Sequence, residues 1–125
     1  MNDAAVEEQK VRVMGFIDLW LVPLGLGMWN ITHKWNRGEH AESNQADRVV
    51  MTCTAWWQYL SAALEYFLPA VAARDDEDLE ECIVHELIHM HLSEMRSTGL
   101  DHEHEERVAT QLSRAFLWVR NAAAK

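Results

Sequence analysis

Two histidines four residues apart, with a glutamate directly after the first, are the residues of this chain best suited to chemistry. They form the H-E-x-x-H motif His85-Glu86-Leu87-Ile88-His89. Residues four apart lie on one helix face with Cβ atoms about 5–6 Å apart, so both imidazoles can bind one Zn²⁺ ion. Glu86 can then take a proton from the water that zinc activates and deliver it to a leaving amine. The motif predicts zinc binding and hydrolysis of peptide bonds.

A catalytic zinc site usually has three protein ligands, and the acidic segment that starts at His102 supplies candidates for the third. On a helical wheel, Glu105 lies about 30° from the centre of the apolar residues that follow, and Glu106 lies about 130° from it. An unpaired carboxylate that faces a core is costly unless a dication binds it. We therefore expect Glu105 to be the third ligand, with Glu106 as the alternative.

Other residues of chemical interest are assigned structural roles. Cys82 lies near the face of His85 and is expected to be a small buried thiol. His33 shares the tryptophan face of a strand and is expected to be a hydrogen-bonded core histidine. His91 is expected at the surface, and His102 and His104 belong to a charged segment without an apolar scaffold.

The charge of the chain limits its partners. It has 11 Lys and Arg against 20 Asp and Glu, a net charge of −9 at pH 7, and an acidic surface repels nucleic acid. The acidic first ten residues do not resemble a secretory signal, and we expect a cytoplasmic protein. Cys53 and Cys82 could form at most one disulfide, and a cytosolic protein would usually keep them as buried thiols. The apolar stretches 13–29 and 49–73 are interrupted by acidic residues and proline, which predicts core rather than membrane spans.

The elements that must position the motif follow from the spacing of apolar residues. Helical spacing predicts a first helix over 4–21, ended by Pro23. Alternation predicts a strand over 29–35, and β-branched and apolar residues predict a second strand over 48–56, with a loop at 39–47 between them. The segment 56–71 fits a helix and a strand equally well.

The motif itself lies in a predicted helix over 77–93. Asp75 and Asp76 supply oxygens for its N-terminal cap, and the acidic residues that follow favour the positive end of the helix dipole. Thr98-Gly99 predicts a break. The apolar residues of the last segment have helical spacing and predict the buried face of a final helix: Val108, Leu112, Ala115, Phe116 and Val119.

The motif followed by Glu105-x-x-Val108 resembles the gluzincin branch of zinc metallopeptidases, and most of all the small single-domain zincin-like proteins that phages and prophages often encode. It does not resemble metzincins, because Leu92 and Met95 stand where those have Gly and His. Trp29-Asn30-Ile31 and Tyr59-Leu60-Ser61-Ala62 match two strand motifs common in the small chains. The resemblance implies that 62–68 is an edge strand, with a groove between it and the zinc helix where an extended peptide could add as a strand.

Together these inferences predict one α+β domain spanning residues 1–125. It has an N-terminal helix, a small and mainly antiparallel three-stranded sheet, the H-E-x-x-H helix and a C-terminal helix. Two function classes are compatible with it: a zinc metallopeptidase acting on a peptide or protein, and a non-catalytic, zinc-stabilised module that binds a partner, such as a phage regulator. Glu86 favours the peptidase, because a structural zinc site would more often fill its fourth position with Cys or His.

Overall fold

The computed structural model describes residues 1–44 and 47–124. Its elements, in chain order, are α1 (Asp3–Trp20), β1 (Asn30–Asn36), β2 (Met51–Trp56), β3 (Ser61–Phe67), α2 (Leu68–Ala72), α3 (Asp76–Arg96) and α4 (His102–Ala123), with a 3-10 turn at Trp57–Tyr59. The expected α+β fold is confirmed. Within the predicted loop 39–47, Gln45 and Ala46 lie outside the described residues.

Helix α1 begins at an asparagine cap and buries a single stripe. The Asn2 side chain accepts a hydrogen bond from the Ala5 amide at 2.8 Å, which satisfies one of the free amides of the first turn. Val6, Val13 and Ile17 are buried at helical spacing. The predicted bounds are thus confirmed to within one residue. Of the helices in the described ranges, none has the length and apolar character needed to cross a bilayer.

The sheet has the strand order β1-β3-β2 and is mixed. β1 runs parallel to β3, with Ile31 opposite Ala62, whereas β2 runs antiparallel to β3, with Cys53 opposite Leu64. The expectation of a mainly antiparallel sheet therefore holds for one of the two strand pairs. β2 spans Met51–Trp56, so it begins three residues later than predicted.

β3 is the central strand, and the expectation that 62–68 lies at the sheet edge is wrong. Its residues Ala62, Leu64 and Tyr66 are at most 1% exposed, because one face is covered by helices and both edges are paired. Leu60, with a left-handed φ of 48°, reverses the chain between β2 and β3. The edge strand that packs against the motif helix α3 is β2.

Helix α3 carries the H-E-x-x-H motif in its middle. Asp75 caps it by accepting a hydrogen bond from the Asp78 amide at 2.8 Å, as the sequence predicts. The helix continues to Arg96, three residues past the predicted end, and an arginine in the last turn favours the negative end of the helix dipole. Two further turns therefore follow His89 on the same helix.

Helix α4 packs against α3 through a face that the apolar pattern did not predict. Its buried residues are Glu105, Ala109 and Ser113, whereas Leu112 and Phe116 are 37% and 40% exposed. Small side chains let two helices approach closely, and the ion pairs that join α4 to α3 fix its rotation. The expectation that the most apolar stripe faces the core is therefore wrong.

Candidate metal centre

The two histidines of the motif point their Nε2 atoms at one place. These atoms are 3.1 Å apart, and the rings meet nearly edge to face. Two nitrogen ligands with zinc bonds of about 2.0–2.1 Å lie about 3.3 Å apart at a tetrahedral angle. The observed separation therefore fits a shared metal ion, as the spacing predicts.

Glu106 supplies a third donor at the same place. Its carboxylate lies 2.7 Å from Nε2 of His89 and 3.3 Å from Nε2 of His85. The distance to His85 matches the edge of a tetrahedron around zinc, about 3.3 Å, whereas the shorter distance to His89 is that of a hydrogen bond. The side chain of Glu106 is 42% exposed, so solvent reaches this corner of the site. Two nitrogens and one carboxylate with an open side are the donor set of a catalytic zinc site.

Glu105 faces the protein interior, as predicted, but it lies on the other side of His89. It is 2% exposed, and its carboxylate accepts hydrogen bonds from Nδ1 of His89 and from Nε and Nη2 of Arg96, the latter two at 2.6 and 3.0 Å. The geometry therefore favours Glu106 for the ligand position, whereas the helical wheel favoured Glu105.

Glu106 rather than Glu105 reaches Nε2 of His89 because of the rotation of α4. The helical wheel assumed that Val108, Leu112 and Phe116 form the inward face, whereas the inward face passes through Ala109. Measured from that face, Glu105 and Glu106 lie on either side of it, each within about 60°. Both carboxylates therefore reach His89, one at each nitrogen.

Arg96 is a site residue that the sequence interpretation missed. It follows His89 by seven residues, which is two helical turns, so both side chains lie on one face of α3. An arginine seven residues after the second histidine of the motif could therefore have been identified from the sequence as a neighbour of the site. Burial alone would raise the pKa of Glu105, but the hydrogen bonds from Arg96 and His89 lower it below its usual value. Glu105 is therefore an ionised carboxylate that orients the His89 ring.

Glu86 lies beside the converging donors. Atoms of His85, Glu86 and His89 able to bind metal all lie within 4.8 Å of one another. Burial, followed by the charges of Glu106 and Glu105, raises the pKa of Glu86 to about 8. Burial and the neighbouring His89 lower the pKa of His85, which keeps its imidazole neutral and able to bind metal near pH 7.

A cleft of about 260 Å³ joins these groups to the sheet. Its walls are formed by the edge strand β2, by α3 and by the start of α4, and it is lined by Met51, Thr52, Cys53, Glu86, His89, Arg96, His102, Glu105 and Glu106. In the described ranges, β2 pairs with β3 alone. The predicted groove beside the motif helix α3 therefore exists, but its sheet side is β2 and not 62–68. His102, expected only as part of a charged segment, lines this cleft.

The other candidates have the structural roles predicted for them. Nδ1 of His33 lies 2.8 Å from the Tyr66 hydroxyl, so His33 is hydrogen-bonded within the sheet. Cys82 is partly buried against the core, and burial raises its pKa. Burial also raises the pKa of Cys53 to about 12, so this thiol in the cleft is protonated and is a poor metal ligand. His91 is exposed and contacts the Leu24 carbonyl.

Comparison of the chain with protein-family models, with curated proteins and with solved structures found no match. The resemblance to zincin-like metallopeptidases therefore depends on the sequence motifs alone.

Proposed function

We propose that the protein is a zinc-dependent metallopeptidase, in which His85, His89 and Glu106 hold the metal and Glu86 is the general base. The observation that supports this is the convergence of both Nε2 atoms with the Glu106 carboxylate, beside a buried glutamate. A site with only a structural role has no use for such a base, and would more often complete its ligands with Cys or His.

Each residue has a defined part in the reaction. Zinc, when bound, supplies the Lewis acid that makes water nucleophilic near neutral pH and polarises the scissile carbonyl. Glu86, whose ionised form a dication bound beside it would favour, accepts a proton as the new carbon–oxygen bond forms and returns it to the nitrogen as the carbon–nitrogen bond breaks. Glu105, held by Arg96, keeps Nδ1 of His89 protonated and its Nε2 free.

The substrate in this proposal is an extended peptide. The edge of β2 that no other described strand pairs with borders the cleft that contains Glu86, so a peptide that pairs with this edge would pass over the candidate metal-binding side chains. Strand pairing uses main-chain hydrogen bonds and therefore makes few demands on sequence. We place the reaction in the cytoplasm, where free thiols such as Cys53 and Cys82 persist.

The decisive experiment compares the wild type with Glu86→Gln. A mixed peptide library is incubated with each zinc-loaded protein between about pH 6 and pH 8, and products are identified by mass spectrometry. We expect the wild type to cleave and the variant to lose at least about 100-fold in rate, because a positioned general base contributes at least that factor. Zinc content should be equal in the two, since Glu86 is not a ligand.

Two controls separate the alternatives. A chelator must abolish the cleavage by the wild type, and readdition of zinc must restore it. Equal cleavage by both proteins would reveal a contaminating protease. No cleavage by either, with zinc bound to both, would contradict the peptidase and favour a zinc-stabilised binding module.

A further inference from the structure

Helix α4 and the end of α1 expose six large apolar side chains. We call this set the α4 patch, and it consists of Leu112, Phe116, Trp118 and Val119 of α4, Leu19 of α1, and Val22 just beyond α1. These side chains are between 37% and 75% exposed. At about 200 Å² for each side chain, an upper value for the four aliphatic ones, they leave at most about 650 Å² of apolar surface in water. The largest patch on a typical monomer is about 300–600 Å².

The patch follows from the way α4 packs on α3. Because α4 turns Ala109 and Ser113 inward, the arc from Trp118 through Val119 to Phe116 is left at the side of the helix. This arc is about 160° wide and, from Val108 onward, contains no charged residue. An amphipathic helix with so wide an apolar stripe is stabilised when another helix covers it.

The shape of the patch indicates what covers it. Beside the helix lies an apolar groove of about 300 Å³, lined by Leu19, Trp20, Pro23, Phe116, Val119 and Arg120. At the opposite edge of the arc, Trp118 projects outward and is 72% exposed. A surface with both a groove and an aromatic projection can match itself across a twofold axis, in which each copy contributes both parts.

The charges around the patch permit such self-association. The chain has a net charge of −9, which makes contact between most of its surfaces unfavourable. Residues 107–124, however, contain Arg107, Arg114 and Arg120 and no acidic residue. Arg114 and Arg120 are neutralised by Glu81 and Glu80 of the same chain. The patch is thus a surface on which two copies meet with little charge repulsion.

We propose that the α4 patch is the interface of a homodimer, formed by α4 of two copies packed antiparallel about a twofold axis. Its apolar area approaches the roughly 800 Å² that each partner buries in a standard protein interface. Antiparallel packing also places the two helix dipoles in the favourable orientation. The metal cleft shares no residue with the patch, so dimerisation leaves the site open.

Sedimentation velocity of the purified chain tests the dimer. We expect the wild type to reach twice the chain mass of 14.5 kDa as its concentration rises from about 1 to about 100 µM. Trp118→Glu combined with Val119→Glu should remain monomeric, because it places two charges in the interface. Tyr59→Glu is the matched control: Tyr59 is 81% exposed but lies in the 3-10 turn, which packs against α3 and β3, so this variant should still dimerise.

The outcomes are distinct. A wild type that stays monomeric up to about 100 µM would overturn the proposal and leave the patch to a different protein. A charged double variant that still dimerises, or a Tyr59→Glu variant that does not, would place the interface elsewhere. Circular dichroism of each variant confirms that it is folded.

Cross-linking locates the interface without altering the patch. Ala115 is exposed and lies near the middle of α4, where an antiparallel pair brings the same residue of both copies together. Ala115→Cys should form a disulfide-linked dimer under mild oxidation, whereas Ser97→Cys, which lies beyond the end of α3, should give no more dimer than the wild type. Equal cross-linking at both positions would overturn the antiparallel α4 interface.

Discussion

Glu105 and Glu106 are adjacent in sequence but reach opposite nitrogens of one histidine. Glu105 accepts a hydrogen bond from Nδ1 of His89, and Glu106 lies 2.7 Å from Nε2 of the same ring. Successive helical residues diverge by about 100°, so two neighbouring carboxylates can enclose an imidazole only if the helix faces it between them. One carboxylate thereby becomes the candidate ligand and the other orients the ring.

Replacement of these carboxylates should affect zinc binding unequally. We expect Glu106→Gln to weaken zinc binding by about 100-fold or more, because a neutral amide replaces an anionic ligand. Glu105→Gln should weaken it by only about 10-fold, because an amide oxygen can still accept from His89. Competition with a chromophoric chelator measures both constants. A larger effect at Glu105 would show that the ligand is Glu105.

Arg96 should be needed for metal affinity although it is no ligand. Arg96→Met removes both guanidinium hydrogen bonds to the buried Glu105 carboxylate, which should cost about 1–3 kcal/mol of stability and up to about 10-fold in zinc affinity. Arg107→Met is the matched control, since the Arg107 guanidinium donates a hydrogen bond to the exposed Gln111 amide and, within the described residues, contacts no buried carboxylate. Chelator competition measures the zinc affinity of each variant, and urea unfolding measures its stability. Equal values for the two variants would contradict the role of Arg96.

Removal of the metal should destabilise the fold. The candidate ligands belong to α3 and α4, so an ion that binds only the native state holds the two helices together. We expect a chelator to lower the melting temperature by about 5 °C or more, and zinc to restore it. His85→Ala should show no response to either addition. An unchanged melting temperature after verified loss of zinc would contradict the prediction.

A second link between α3 and α4 should make stability depend on pH. Glu80 accepts hydrogen bonds from Arg120 and, at 2.8 Å, from Nε1 of Trp20. Burial alone would raise the pKa of Glu80, but these bonds and the Arg120 charge lower it below its usual value of 4.5. The stabilisation is therefore present above the unfolded-state pKa and is lost as pH falls through the lower, folded-state value.

Glu80→Gln tests this link. We expect it to reduce the free energy of unfolding by about 1–3 kcal/mol at pH 7, with a smaller loss at acid pH where the wild-type carboxyl is itself protonated. Glu81→Gln, which breaks a more exposed pair with Arg114, should cost less than about 1 kcal/mol. Urea unfolding at pH 7 and at acid pH gives the free energy of unfolding of both variants. Equal losses in the two variants at pH 7 would disprove the special role of Glu80.

The local features of the site could be inferred from the chain. His85 and His89 share a helix face because a helix has 3.6 residues per turn, wherever that helix lies. Asp75 caps α3 through a contact within three residues. The bounds of α1 follow in the same way from the spacing of the apolar side chains. Each of these depends on neighbours in sequence, and each is confirmed.

Features that depend on how the elements pack could not be inferred. The composition of residues 61–67 suits an edge strand and a central strand equally well. Their central position follows from pairing with β1 on one side and β2 on the other. The rotation of α4 is set by small residues and by pairs such as Glu80 with Arg120, forty residues apart, against the apolar stripe that dominates its sequence. A change in that rotation would exchange Glu105 for Glu106 at Nε2 of His89. Which glutamate is the candidate ligand therefore depends on how the two helices pack and not on either helix alone.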